Sequence, residues 1–269
     1  MSLELAVLIP VYQDQAGVVR SLEALRAAQW PVKGTVVLVD DGSNPALEIR
    51  PGDWAPLGIT QVRLSVNQGI EAALNAGLEV ALKEGVKYIA RLDAGDTLHK
   101  ERLAKQIAIM DADPAVGIVA SDVNFEDEAG QFLFRFIAPL SDREVRRKMH
   151  IGSCLIHPAV MLRASLLREI GNYSKDYPAA EDYELFFRFL AASKAQCIPE
   201  PLTTTTLGKM GISLTRRRVQ LKSKLRVQLR HFDALEVNSF VGIAMTLLLF
   251  VIPQAIVLSC KRMFGISRI

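Results

Sequence analysis

Three acidic groupings in the sequence have residue types and spacing that can do chemistry: Asp40-Asp41-Gly42-Ser43, Asp93-Ala94-Gly95-Asp96 and Glu181-Asp182. The first two each follow a short apolar run, residues 36–39 and 87–92. In an open α/β sheet, ligands bind beyond the carboxyl ends of the strands, so both groupings stand where a ligand would sit. Carboxylates there accept hydrogen bonds and hold Mg2+ or Mn2+, hard cations that prefer oxygen and bridge to substrate phosphates. Asp and Gly are also ordinary turn formers after a strand, so one such site says little; two in the same relation to separate strands say more. Glu181-Asp182 opens a helical run, where acidic residues suit the helix dipole in any case, and two adjacent carboxyls can raise one pKa.

Other chemistries are excluded by what is missing. No G-x-G-x-x-G follows the first strand, which ends in Ile9-Pro10-Val11-Tyr12, and no Walker loop is present. The four histidines, His99, His150, His157 and His231, lie away from any G-x-S-x-G motif, so a nucleophilic triad has no support. His157, beside Pro158 in an apolar run, reads first as a satisfied interior residue. Cys154, Cys197 and Cys260 are scattered with no metal-ligand spacing and read as reduced thiols.

The elements that must position these residues are legible as alternating short strands and helical runs, the mark of an α/β fold with a mostly parallel central sheet flanked by helices. Strands are predicted over 5–11, 36–39, 60–64, 87–92, 116–121 and 132–136, the last a candidate for antiparallel pairing. Helices are predicted over 14–28, 69–82, 100–110, 163–170 and 181–192. With 269 residues, 50% of them hydrophobic and 23% charged, the chain can bury a sizeable core. The first residues run into an apolar stretch broken by Pro10, with no basic flank and no A-x-A site, so no secretory leader is expected.

The net charge of +3 conceals a division. Residues 214–269 hold ten basic and two acidic side chains, leaving the first 213 residues acidic. Residues 214–237 are read as a basic amphipathic segment with Leu214, Leu221, Leu225 and Phe232 in one stripe, suited to an anionic membrane surface. Residues 238–260 follow as a hydrophobic membrane segment, either spanning or re-entrant, since 240–260 lacks any charge; 261–269 form a basic tail. Nucleic acid is not the expected partner, because the basic cluster abuts the apolar run and lacks interleaved aromatics.

Taken together, Leu8-Ile9-Pro10-Val11-Tyr12, Val37-Leu38-Val39-Asp40-Asp41-Gly42-Ser43, Asn67-Gln68-Gly69, Ala90-Arg91-Leu92-Asp93-Ala94-Gly95-Asp96, His157-Pro158 and Glu181-Asp182-Tyr183-Glu184-Leu185 resemble, in order and spacing, the family-two glycosyltransferases of GT-A fold. The resemblance covers about residues 4–205. It implies an inverting transfer of a sugar from a nucleotide diphosphate donor to an acceptor hydroxyl. Carried over by position, it places Pro10, Val11, Tyr12 and Asp41 at the nucleotide, Asn67 and Gly69 in the segment that closes over it, and Asp93 near ribose and diphosphate. Asp40 is assigned to orienting its loop. Asp182 matches the catalytic base, with Glu181 and His157 as acceptor-side or supporting residues.

The resemblance also implies a divalent cation, Mn2+ or Mg2+, but Gly95 stands where the family pattern has a metal-binding acid. Asp93 and Asp96 are the carboxylates left for the ion. The basic, apolar tail adds the expectation of a lipid-linked saccharide acceptor in cell-surface polysaccharide synthesis (O-antigen, capsule or exopolysaccharide) at the cytoplasmic face of the bacterial inner membrane. The competing reading is a catalytically silent relative that serves as a membrane-tethered binding or scaffold protein.

Overall fold

The computed structural model describes residues 3–207 and 216–252. Strand β1 (Leu5–Val11) is buried along its whole length, and β2 (Gly34–Asp40) is buried beyond its first residue. Such continuous apolar runs are what a parallel sheet covered on both faces requires. Alternate side chains of these strands feed separate cores. Leu8, Val37 and Val39 pack under α2 (Ile70–Lys83), whereas Leu5, Val7 and Leu38 share a core with Leu22 of α1 (Gln15–Ala27) and Ile107 of α3 (Arg102–Ala112).

With β3 (Gly58–Arg63), β4 (Tyr88–Arg91), β5 (Thr97–Leu98), β6 (Val116–Glu126), β7 (Phe132–Phe136), β8 (Met161–Arg163) and β9 (Lys194–Thr206), the strands form one sheet of order β3-β2-β1-β4-β8-β6-β9-β5, with β7 paired to β6. The β3-β2-β1-β4 half is parallel. Beyond β4 the sheet is mixed: β8 runs antiparallel to both β4 and β6, β9 is parallel to β6, and β5 and β7 are antiparallel to their partners. The mostly parallel expectation therefore holds for the first half only. Its failure has a local cause, because β8 is three residues long and β9 carries two prolines and a run of threonines, leaving neither a strong periodic signal.

Helix α4 (Asp142–Met149) is highly charged and buries only the i, i+4 pair Val145 and Met149, and a reciprocal capping box between Ser141 and Glu144 fixes its start. The remaining helices are α5 (Ala164–Ile170), α6 (Glu181–Ala192), α7 (Arg217–Arg230) and α8 (Val237–Val251).

The tail departs from expectation. Helix α7 buries Leu221, Ser223, Val227 and Gln228 against the domain, with Leu225 only partly covered and Phe232 exposed, so the expected stripe is split: Leu221 packs and Phe232 does not. Among the described residues no helix is long and apolar enough to cross a membrane. Helix α8 has 15 residues and reaches ~22 Å, short of a ~30 Å hydrocarbon core. Leu214, the 213/214 boundary and residues 253–269, which include the end of the expected membrane segment and the basic tail, lie outside the described residues.

Candidate active site

The parallel strands deliver their carboxyl ends to one edge. Val11 pairs with Asp40, and the next residue, Asp41, donates its backbone N–H to the Val11 carbonyl at 2.8 Å. Pro10 is tolerated in this central strand for a simple reason. Leu8 accepts from Leu92 on the β4 side, and Pro10, facing the same neighbour two residues on, lies past the end of β4 where no donor is needed. Pro10 and Val11 are buried at the end of β1, while the Tyr12 ring is half exposed at the edge.

The two acids after β2 have different tasks. Asp40 accepts from Ser43 N at 2.9 Å and lies 3.8 Å from the Arg63 guanidinium, which ties the loop down. Asp41, also buried, accepts from the backbone N–H of Gln68 at 2.8 Å through Oδ1 and of Gly69 at 2.9 Å through Oδ2. It thereby links the β2 end to the segment that carries Asn67 and Gly69. Gly42 is required at the crossing: its φ is +72°, and a Cβ there would stand 2.3 Å from the Val66 carbonyl carbon.

The turn after β4 is built on a buried cation. Arg91 donates from Nη1 to the carbonyls of Leu8 and Leu92, and from Nη2 to Oδ1 of Asp93, whose side chain is 43% exposed. Ser21, from α1, holds the turn from below, accepting from Gly95 N at 3.1 Å and donating to the Asp96 carbonyl at 2.7 Å. Gly95, with φ of +89°, contributes no side-chain ligand. Asp96 points into the protein, where Thr205 Oγ1 donates to its Oδ2 at 2.9 Å. Burial, with Asp93 nearby, raises the Asp96 carboxyl well above the usual range.

Glu181 and Asp182 are the first two residues of α6, reached through Ala179, which sits at φ of +60°. That conformation is strained for a residue with a Cβ, and strain of this kind concentrates at functional sites. Burial pushes the Asp182 carboxyl up to about 6; the Tyr183 N–H, donating at 2.7 Å, pulls it back, and the charge of Asp93 adds to the rise. The helix dipole favours the carboxylate here, so desolvation outweighs it. Glu181 is pushed up to about 8, first by burial and then by Asp182, and its Oε2 is buried without a hydrogen-bond partner among the described residues.

Behind them His157 Nε2 shares a 2.7 Å hydrogen bond with the Tyr173 hydroxyl. Burial, and then Arg91, hold the His157 imidazole well below its ordinary pKa, so it is neutral. Asn75 clamps Tyr173 by exchanging hydrogen bonds with its backbone at 2.9 and 3.0 Å. Asp93, His157, Glu181 and Asp182 are thus brought into one electrostatic neighbourhood, with Arg91 acting on each. A cavity of about 370 Å3 opens beside it, lined by Asn67, Gly69, Glu71, Lys175 and Arg216 among others.

Sequence reasoning had assigned no role to Arg91, Ser21, Asn75, Tyr173 or Ala179. Arg91 alone carried a signal, being a charge inside an apolar strand.

Residues 6–171 match the family described as Glycosyl transferase family 2. The chain belongs to that family. The match takes in Asp41, Asn67, Gly69, Asp93 and His157, and stops before Tyr173, Glu181 and Asp182, which the fold brings alongside. Among curated proteins, the uncharacterized glycosyltransferase MJ1057 of Methanocaldococcus jannaschii is 29% identical over 106 residues, covering 39% of this chain and 36% of that protein. The chain thus aligns with about a third of that relative's length.

Among solved structures, Staphylococcus aureus TarS residues 1–349 superimposes with a TM-score of 0.67 at 18% identity, covering 91% of this chain and 71% of that one. The mannosyltransferase PcManGT from Pyrobaculum calidifontis, solved with GDP-Man and Mn2+, gives a TM-score of 0.61 at 18% identity, covering 91% and 69%. At these identities the likeness establishes the GT-A fold of this family-two member.

Proposed function

We propose that the protein is an inverting glycosyltransferase that moves a sugar from a nucleotide diphosphate sugar to the hydroxyl of a lipid-linked saccharide, in cell-surface polysaccharide synthesis. The observation that carries the chemistry is Asp182: a carboxyl at a helix start, raised to about 6 and in electrostatic reach of Asp93. A base with its pKa near the working pH is the most effective one. In the reaction, the acceptor oxygen attacks the anomeric carbon as the bond to the diphosphate oxygen breaks, and the hydroxyl proton passes to Asp182. Pro10, Val11, Tyr12 and Asp41 bound the nucleotide, and Asn67 and Gly69 form the segment over it, held in place by Asp41. His157, neutral and fixed by Tyr173, supports the acceptor side.

A divalent cation fits this site in a restricted way. Among the described residues no three His, Cys, Asp or Glu side chains converge to hold one. Asp93 is the exposed acid of its turn, and with Oδ1 taken by Arg91 its Oδ2 is the atom for an ion. Asp96 is turned away and bonded to Thr205. Asp93 would therefore be the residue to hold Mn2+ or Mg2+, and the ion would supply neutralisation of leaving-group charge. TarS solved with UDP-GlcNAc and PcManGT solved with GDP-Man support a nucleotide-sugar donor. The lipid-linked acceptor and a place at the cytoplasmic face of a bacterial inner membrane rest on the basic, apolar C-terminal region.

Incubating the purified protein with UDP- and GDP-sugars and a lipid-linked acceptor, read by mass spectrometry, tests the proposal. The absence of both transfer and donor hydrolysis with all of them would favour a silent, membrane-tethered relative, the reading toward which Gly95 points.

A further inference from the structure

Helix α8 is inverted relative to an ordinary surface helix. Its buried positions are Ser239, Gly242 and Thr246, at spacing i, i+3, i+7, while Val237, Phe240, Ala244, Leu247, Leu248 and Val251 form the opposite, exposed stripe. Phe240 is 55% exposed, Leu248 57% and Val251 80%. A helix that lays its apolar face on the protein core would show the reverse. The small face is needed where it is: a Cβ on Gly242 would lie 2.0 Å from the His150 carbonyl oxygen, and Ser239 Oγ meets His150 Nδ1 at 2.9 Å. The large residues are therefore turned outward by construction, and Leu229, Phe232 and Leu235 extend the patch across the elbow from α7.

Packed beside this patch, α7 supplies charge of one sign. Residues 216–230 contain seven basic side chains and no acidic one, and Arg218, Lys222, Arg226 and Arg230 are exposed. Arg217 ties the two helices together by donating to the carbonyls of Leu249 and Ile252 at 2.7 and 3.0 Å, the C-terminal end where a cation is favoured.

We propose that the α7–α8 hairpin is an interfacial anchor that lies on an anionic lipid bilayer, with the α8 stripe sunk among the acyl chains and the α7 cations on the headgroup phosphates. Charge complementarity chooses this occupant over a second copy of the chain. Two such faces brought together would oppose like charges, whereas an anionic bilayer meets both the cations and the apolar stripe.

The anchor is also braced on the site. Arg226 donates to the Asp176 carbonyl at 2.9 Å and lies over the Tyr177 ring, and Ala180, which precedes Glu181, donates to the Tyr177 carbonyl. Docking would thus hold the segment leading to Asp182 at a fixed height over the membrane, where a lipid-carried acceptor presents its hydroxyl. That last step rests on the transferase reading; the docking itself does not.

Sedimentation of the full chain with vesicles tests it. The wild type is expected to pellet with phosphatidylglycerol–phosphatidylethanolamine vesicles, weakly with phosphatidylcholine alone, and less as salt rises. Leu247→Gln with Leu248→Gln should weaken binding by about ten-fold or more, and Arg218→Gln with Lys222→Gln likewise on anionic vesicles only. All four positions are exposed, and an unchanged melting temperature and nucleotide affinity would show that the fold persists. Failure of the wild type to bind anionic vesicles at low salt, or equal binding by the Leu247/Leu248 variant, overturns the proposal. So does a dimer in solution that the Leu247/Leu248 variant dissociates without any vesicle binding, which would give this face to a second copy. Loss of transfer with docking intact would sink the enzymatic reading alone.

Discussion

The Arg91 guanidinium, buried between β1 and the turn after β4, grips the one exposed acid of that turn, Asp93, while its other nitrogen holds the carbonyls of Leu8 and Leu92. A single side chain thus joins the floor of the sheet to the acid proposed to stand near the donor diphosphate. Arg91→Met should cost about 1–3 kcal/mol, because buried carbonyls lose their donor, and should raise KM for the donor as Asp93 is released. Urea denaturation with steady-state kinetics checks both; an unaltered midpoint and KM would remove Arg91 from this role.

Asp93 and Asp96 are separable by the same geometry. Asp93→Asn should raise the Mn2+ or Mg2+ concentration for half-maximal activity at least about ten-fold, since it removes the carboxylate proposed to hold the ion. Asp96→Asn should leave that concentration within about three-fold, because Asp96 is buried, turned into the protein and held by Thr205. In the wild type, activity should saturate only at a relatively high metal concentration. Full activity after exhaustive chelation would show that cationic side chains alone serve the leaving group.

Asp182→Asn should lower turnover by about 10² to 10⁴ while nucleotide binding and melting temperature stay close to wild type. With the Asp182 carboxyl raised to about 6, wild-type kcat should climb as pH rises through that value, because only the ionised form takes a proton. A variant that keeps more than about a tenth of the turnover, or a flat profile from pH 5 to 7, would point to another base.

The parallel half of the sheet and the places of Asp41, Asp93 and Asp182 were legible in the sequence because each belongs to a strand end or helix start with a strong local pattern. The loop-orienting task given to Asp40 matches its hydrogen bonds to the 43–47 loop. What escaped was non-local. Ser21 reaches the Asp93 turn across 72 positions, and Asn75 reaches Tyr173 across 98, so no window of sequence contains either contact. The burial of Asp96 depends on Thr205 from β9, a strand that was itself missed. In the tail, an apolar run suggested a membrane segment, spanning or re-entrant, but periodicity alone does not say which side of a helix faces the protein. The packing of Ser239, Gly242 and Thr246 settles that for α8.

Glu181 and Asp182 together make stability depend on pH. In the folded protein both carboxyls lie above their ordinary values, Glu181 at about 8 and Asp182 at about 6, so the native state binds protons more tightly than the unfolded chain. The stability they contribute is then fully present below about pH 4, where both states are protonated, and is lost as pH rises through about 6 and then about 8. Glu181→Gln keeps the shape and removes the ionisation. It should match the wild type near pH 4 and exceed it at pH 9 by an amount on the order of a few kcal/mol, because the wild type alone must bury a charge whose Oε2 has no hydrogen-bond partner among the described residues. Urea denaturation at the two pH values measures the difference. Parallel losses of stability in variant and wild type would mean that Glu181 ionises in the fold as easily as in water, and that the alkaline loss comes from elsewhere.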